Sequence, residues 1–220
     1  MNQTEKAKRF AELHVKGTPL LLYNAWDAGS AKAILAAGAK AIATSSWSVA
    51  EAQGYRDGES IPIALAQKIV ARIAATIDAP VTVDFEGGYS EDDGVLAENI
   101  SRLLDTGVIG INFEDRVVKG SGLYGIDRQA RRIAAIRKSA EQKSVDLFIN
   151  ARTDVFFEHG GSSGCRRSFR QSQSVCGCGG VRLLRSRPGG RCADRADLRG
   201  CHAAGERHGH GRCAVDCQAL

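Results

Sequence analysis

Val81-Thr82-Val83-Asp84-Phe85-Glu86-Gly87-Gly88-Tyr89 sets a short apolar run directly before two carboxylates and a pair of glycines. A run of this length, rich in β-branched residues and bounded by turn residues, reads as a strand buried on both faces. The same pattern recurs on either side of it. Upstream, Leu20-Leu21-Leu22-Tyr23 is a strand followed by Asp27 as a helix cap and an alanine-rich helix from Ser30 to Ala37, ending at Gly38. Ala41-Ile42-Ala43-Thr44 is a second strand. Its helix has Ser60 as cap, Pro62 in the first turn, and Ile69, Val70, Ile73 and Ile77 on one face. Downstream of Asp84 come a helix from Glu91 to Leu104, a strand from Val108 to Phe113, a helix from Arg128 to Lys143 and a fifth strand, Leu147-Phe148-Ile149-Asn150.

Alternation of strand and helix predicts a parallel α/β sheet with about five βα units. Two architectures accommodate it: an open doubly wound sheet, or a (β/α)8 barrel cut short after its fifth strand. No Gly-x-Gly-x-x-Gly follows the first strand, so the usual dinucleotide fingerprint is missing, and acidic residues instead end the third and fourth strands. In a barrel the carboxyl ends of the strands form the catalytic mouth. The barrel is the better fit.

Asp84 and Glu86 stand two apart, so in extended backbone both carboxylates point the same way, and Glu114 ends the neighbouring strand. Carboxylates that converge repel one another, and such a cluster needs a cation, shared protons or wide spacing. Oxygen donors favour Mg2+ or Mn2+. The plainer alternative is that Glu86 and Glu114 are solvated loop acids and Asp84 caps a turn beside Gly87-Gly88. Arg152, just after the fifth strand, is placed to balance an acidic substrate or to form a wall ion pair.

Composition divides the chain near residue 160. The 220 residues are 43% hydrophobic and 25% charged, an ordinary globular balance, and the formal charge is +5. All seven cysteines lie at or beyond Cys165. Residues 161–220 hold eleven arginines against three aspartates and one glutamate, with no Lys, Ile, Thr, Asn, Met, Tyr or Trp. Residues 1–160 are slightly acidic, so the basicity belongs to the tail alone. No apolar run reaches the roughly 18 residues of a membrane span, and the polar start from Met1 to Lys8 lacks the core of a secretory signal. A cytoplasmic protein with no membrane partner is expected.

The segments Asn24-Ala25-Trp26-Asp27, Thr44-Ser45-Ser46-Trp47, Gly54-Tyr55-Arg56-Asp57, Asp84-Phe85-Glu86-Gly87-Gly88-Tyr89, Asn112-Phe113-Glu114-Asp115 and Asn150-Ala151-Arg152 come in order over residues 10–158. Together they resemble the isocitrate lyase and phosphoenolpyruvate mutase superfamily. The resemblance implies a (β/α)8 TIM barrel that binds Mg2+ or Mn2+ and makes or breaks a C–C or P–C bond beside a 2-oxo or enol acid. Its substrates would be small oxo-acids or phosphonates, as for carboxyvinyl-carboxyphosphonate phosphorylmutase, phosphonomutases or methylisocitrate lyase. It further implies that Asp84, Glu86 and Glu114 hold the metal directly or through water, and that Asp57 supports that shell. The Ser45-Ser46-Trp47 turn would hold the substrate carboxylate by backbone N–H groups, and Arg152 would neutralise substrate charge.

The loop after the fourth strand sets the reaction in that superfamily, and here it reads Lys119-Gly120-Ser121-Gly122-Leu123-Tyr124. It carries neither the Lys-x-Cys-Gly-His signature of the isocitrate lyases nor the Lys-x-Asn-Ser of the phosphoenolpyruvate mutases. Lys119 is a gate candidate, with a solvated loop lysine as the alternative, and the glycines allow movement. Superfamily members commonly form tetramers through a last helix, which has no counterpart in this sequence.

Residues 161–220 read best as a shifted frame. Back-translating Ser174 to Leu184 with one base skipped permits AYAAAGASGFF, and the same register carries Gly200 to His208 into AVTLPVNV, two segments the superfamily would supply. The chain as written could then be an inactive fragment. The competing reading is a zinc or nucleic-acid module built from Cys176, Cys178, Cys192, Cys201, His208, His210, Cys213 and Cys217. Paired Cys-x2-Cys knuckles are missing, and Phe169 is the tail's only aromatic residue, so neither a zinc site nor a base-stacking platform is expected.

Overall fold

The computed structural model describes residues 1–155 apart from Lys16 and Val118, together with the backbone of 181–185. The elements run α1 (Gln3–Glu12), β1 (Tyr23–Ala25), α2 (Ala28–Ala36), β2 (Ile42–Thr44), α3 (Ser46–Glu51), α4 (Ile63–Thr76), β3 (Val81–Asp84), α5 (Asp93–Leu104), β4 (Gly110–Glu114), α6 (Ile126–Gln142), β5 (Phe148–Thr153) and β6 (Val181–Arg185). All six strands are parallel and hydrogen-bonded in the order β1-β2-β3-β4-β5-β6. A doubly wound sheet reverses its strand order at a switch point, whereas this order never does, so the sheet is six consecutive staves of a TIM-barrel wall.

The strands of the five expected βα units are present, and a sixth strand, β6, pairs with β5; the rest of the 161–220 tail lies outside the described residues. Other expectations are corrected. The Leu20-Leu21-Leu22 run precedes β1, and Leu20 and Leu22 pack under the sheet instead of extending it. Ser60 does not cap α4: Pro62 takes that position without a side-chain bond, and the Ser60 hydroxyl donates to the Asp57 carbonyl. Arg152 lies within β5, not after it. Helices α1 and α3 add to the elements read from the sequence.

Period-two alternation sorts the central strands. Val81 and Val83, Ile111 and Phe113, and Ile149 and Ala151 join one apolar core with Val70 and Ile73 of α4, Leu96, Ile100 and Leu103 of α5, and Ile133 and Ile136 of α6. The alternate positions Thr82, Asp84, Gly110, Asn112, Glu114, Asn150 and Arg152 take the opposite face. There the strands lie close: a Cβ at Gly110 would sit 2.8 Å from Thr82 Oγ1. Register then sets Asp84 beside Asn112, Asn112 beside Asn150, and Glu114 beside Arg152.

Helix α1 closes the end of the sheet away from those polar residues. Asn2 and Glu5 form a reciprocal capping box at its start, and Gln3 Nε2 donates to the carbonyls of Leu104 (2.9 Å) and Val108 (2.8 Å). Phe10 is buried against Ala41 and Ile109, with the Phe148 ring edge-on at 5.1 Å. At the other end, the chain after β3 turns sharply. Glu86, Gly88 and Tyr89 have φ of 49°, 81° and 62°, and a Cβ at Gly88 would run into Leu96 Cδ1 and come within 3.2 Å of Phe113. Only glycine satisfies both demands at position 88.

Two outcomes follow for urea unfolding followed by circular dichroism. Phe10→Ala is expected to remove about 3 kcal/mol by leaving a cavity under α1. Gly88→Ala is expected to remove about 2 kcal/mol through left-handed strain and overlap with Leu96.

Candidate functional site

Asp84 ends β3 and is the best-anchored of the rim acids. Its N–H donates to Thr44 Oγ1 at 3.1 Å, and its Oδ2 accepts from the Ser46 hydroxyl at 3.0 Å and the Ser46 N–H at 3.3 Å. Its Oδ1 is buried and has no hydrogen-bond partner. A buried carboxylate oxygen left bare forfeits its hydration for nothing inside the protein, which marks the place where a ligand belongs.

Glu86 reaches the same rim by a different route from the one expected. The two-residue spacing predicted extended backbone, but Glu86 is left-handed and belongs to the turn. Its Oε2 accepts from the Glu59 N–H at 2.9 Å, while its backbone carbonyl accepts from the Glu114 N–H at 3.0 Å. Burial, followed by the charges of Asp57 and Asp84, pushes its carboxyl up to about 8. Asp57 is exposed and acts on Glu86 through charge alone among the described contacts.

Glu114 ends β4. Burial raises its carboxyl to about 7, against the lowering effect of Arg152, and Asp84 and Asp154 add to the rise. Arg152 Nη2 meets Glu114 Oε2 at 2.7 Å, while its Nε and Nη2 bind the two oxygens of Asp154 at 3.0 and 3.2 Å. Burial opposes the charge on Arg152, but the bonds to Asp154 and the proximity of Glu114 hold it firmly protonated. One guanidinium thus answers several acids.

The remaining candidates lie around this centre. Ser45 caps α3, its hydroxyl accepting from the Ser48 N–H at 3.4 Å, and the Ser46 N–H is already engaged by Asp84. Trp47 is 59% exposed at the rim. Lys119 is exposed and lines a crevice of about 330 Å3 with Glu59, Gly87, Tyr89, Arg116 and Tyr124, beside the carboxylates but not among them. The tail cysteines and histidines lie outside the described residues.

Carboxylates are the right donors for a hard divalent cation. Among the described residues no three His, Cys, Asp or Glu side chains draw together tightly enough to enclose one. The bare Asp84 Oδ1 offers one direct ligand, with Glu86 and Glu114 behind it, and this open arrangement fits an ion of the Mg2+ type that keeps several waters.

Residues given no role from the sequence complete the rim. Glu59 is buried, its N–H on Glu86 and its Oε1 accepting from the Tyr89 N–H at 2.6 Å. Asp115 accepts from the Thr153 hydroxyl at 2.6 Å and the Asp154 N–H at 3.0 Å, fixing the end of β5. Buried side chains of the helices hold backbone carbonyls from behind: Asn99 on Gly88, Gln129 on Glu114, and Arg132 on Gly87 and Ser90. Their only sequence signal is a polar residue on the apolar face of a helix.

Among the described residues no helix is long and apolar enough to cross a membrane. Residues 10–171 match the family model for phosphoenolpyruvate phosphomutase. Two uncharacterized proteins of Mycobacterium tuberculosis strains are 35% identical over 148 residues, 67% of this chain and 54% of theirs. The chain therefore spans about half the length of these curated relatives. A crystal structure of a candidate phosphonomutase from Burkholderia cenocepacia superposes with a TM-score of 0.78 at 43% identity, covering 83% of this chain and 76% of the other. A Corynebacterium glutamicum protein named as a 2-methylisocitrate lyase is 35% identical over 104 residues, 44% of this chain and 33% of its own length. A match over well more than half of the sequence, on a barrel wall of the same topology, makes this chain a member of the phosphoenolpyruvate phosphomutase family, within the phosphoenolpyruvate mutase and isocitrate lyase superfamily.

Proposed function

We propose that the protein is a Mg2+-dependent lyase or mutase that makes or breaks a C–C or P–C bond next to a 2-oxo or enol acid. The observation that carries this reading is the bare, buried Asp84 Oδ1 beside two carboxyls, Glu86 and Glu114, whose proton affinity burial raises above that of an ordinary carboxylate. Asp84 would bind the cation directly, and Glu86 and Glu114 through water. When bound, the cation supplies Lewis-acid stabilisation of negative charge that develops on the oxo-acid.

The chain's own residues supply the rest. Arg152, clamped by Asp154 and Glu114, presents a fixed positive charge whose orientation is set before substrate arrives, so no reorganisation is needed as charge develops. Ser46 holds Asp84 by hydroxyl and N–H together and fixes where its free oxygen points. Trp47, exposed beside Ser46, is available to cover a bound oxo-acid and exclude water. Lys119 and Arg116 bring positive charge to the crevice wall opposite Glu59 and suit the distal end of an acidic substrate.

A second reading concerns the tail. The family match stops at residue 171 of 220, next to the change in composition, and the shifted frame would write Gly-Phe-Phe at 182–184, inside β6. The chain as written would then be a fragment of reduced or no activity, and a frame-restored version would be the enzyme.

Turnover of oxaloacetate, 2-methylisocitrate, phosphoenolpyruvate and phosphonopyruvate with and without Mg2+, in both versions, tests the proposal. Dependence on Mg2+ with at least one of the four is expected in the restored chain, and Asp84→Ala should lower kcat/KM by about 100-fold or more. Turnover that survives both chelation and Asp84→Ala would refute the metal role.

A further inference from the structure

Arg132 of α6 is 0% exposed and pairs with no carboxylate within hydrogen-bond reach among the described residues. Its Nη1 donates to the Ser90 carbonyl at 3.0 Å and its Nη2 to the Gly87 carbonyl, while its Nε is buried without a partner. The guanidinium carbon lies 5.2 Å from the Phe113 ring centroid and 4.3 Å from that of Tyr124. Burial pulls its pKa down, so the fold gives up solvation to keep a cation here. A residue held at such cost and absent from the metal rim invites another role.

Its contacts fall on two separate pieces of chain. One is the Gly87–Ser90 turn, which follows directly from Glu86 and whose Tyr89 N–H is held by Glu59. The other is the return leg of the loop after β4, where Arg116 bridges Leu123 and the Tyr124 N–H donates to the Asp115 carbonyl at 2.8 Å. These two pieces form opposite walls of the 330 Å3 crevice beside the carboxylates. The guanidinium lies buried behind them, in contact with each.

We propose that Arg132 is a positioning residue that locks both crevice walls, the Gly87–Ser90 turn by its forked donors and Tyr124 by its flat face, and so fixes the place of Glu86 relative to the loop after β4. Arginine suits this because one planar group offers parallel N–H donors in its plane and a cationic face above it, which an ammonium cannot do. The metal arm of the test rests on the function proposed above, and the exchange arm does not.

Hydrogen exchange of the full chain, read by mass spectrometry over 85–92 and 120–126 with α4 as reference, is the experiment. Arg132→Lys is expected to speed exchange about tenfold in both segments while α4 stays as in the wild type. Mn2+ affinity, read by electron paramagnetic resonance, should fall about fivefold or more in the same variant. Tyr124→Leu should loosen 120–126 alone, and Tyr124→Phe, which keeps the ring, should restore wild-type exchange. Arg132→Lys that loosens only one segment, or lowers the thermal midpoint with both segments and Mn2+ affinity unchanged, overturns the proposal. Should Arg132→Lys not fold, wild-type exchange over 120–126 in Tyr124→Leu overturns it instead. A wild type that takes up no Mn2+ contradicts the metal reading, and Arg132 is then judged on exchange alone.

Discussion

Asp84, Glu86 and Glu114 bring like charges into one buried rim, and their repulsion is the constraint around which the rest of this structure is arranged. Water cannot screen them, because Glu86 and Glu114 are buried and Asp84 is half-buried. The fold answers locally with single donors: Ser46 on Asp84, the Glu59 N–H on Glu86, and Arg152 on Glu114. These leave Asp84 Oδ1 unanswered and two carboxyls with raised proton affinity. A divalent cation would relieve all three at once, which no side chain in reach does.

The barrel wall is what makes such a concentration of charge tolerable. Helices α4, α5 and α6 bury the apolar alternates of β3, β4 and β5 in a continuous core, and that core holds strand ends that would otherwise separate. Parallel register converts sequence neighbours into spatial ones, so that Glu114 faces Arg152 and Asn112 receives the Asn150 amide at 2.8 Å. Behind the rim, Asn99, Gln129 and Arg132 grip the carbonyls of the turns. Preorganisation of the site is therefore distributed over helices that grip its backbone from behind.

What could be read from residues alone follows the same physics. The β3 run and its flanking acids identified the parallel sheet, the rim and the three carboxylates, because buried strands and their polar ends leave a local signature. Strand edges were less legible: Leu20–Leu22 looked like a strand, but Leu20 and Leu22 pack into the cluster of Phe10 and Phe148 while Leu21 is exposed. The way Glu86 reaches the rim was hidden because a left-handed residue before two glycines breaks the two-residue alternation. Glu59 and the Asp115 carboxylate act on partners dozens of residues away, and no local pattern announces such pairs. Strand β6 was missed because its residues sit in a stretch without sustained periodicity.

The central claim is that the repulsion among Asp84, Glu86 and Glu114 is resolved by a divalent ion at Asp84. Anomalous diffraction from crystals grown in Mn2+ tests it most directly. A single anomalous peak within about 2.2 Å of Asp84 Oδ1, with Glu86 and Glu114 reaching it through waters, is the predicted result. An empty rim at saturating Mn2+, with Glu114 still closed on Arg152, would contradict it.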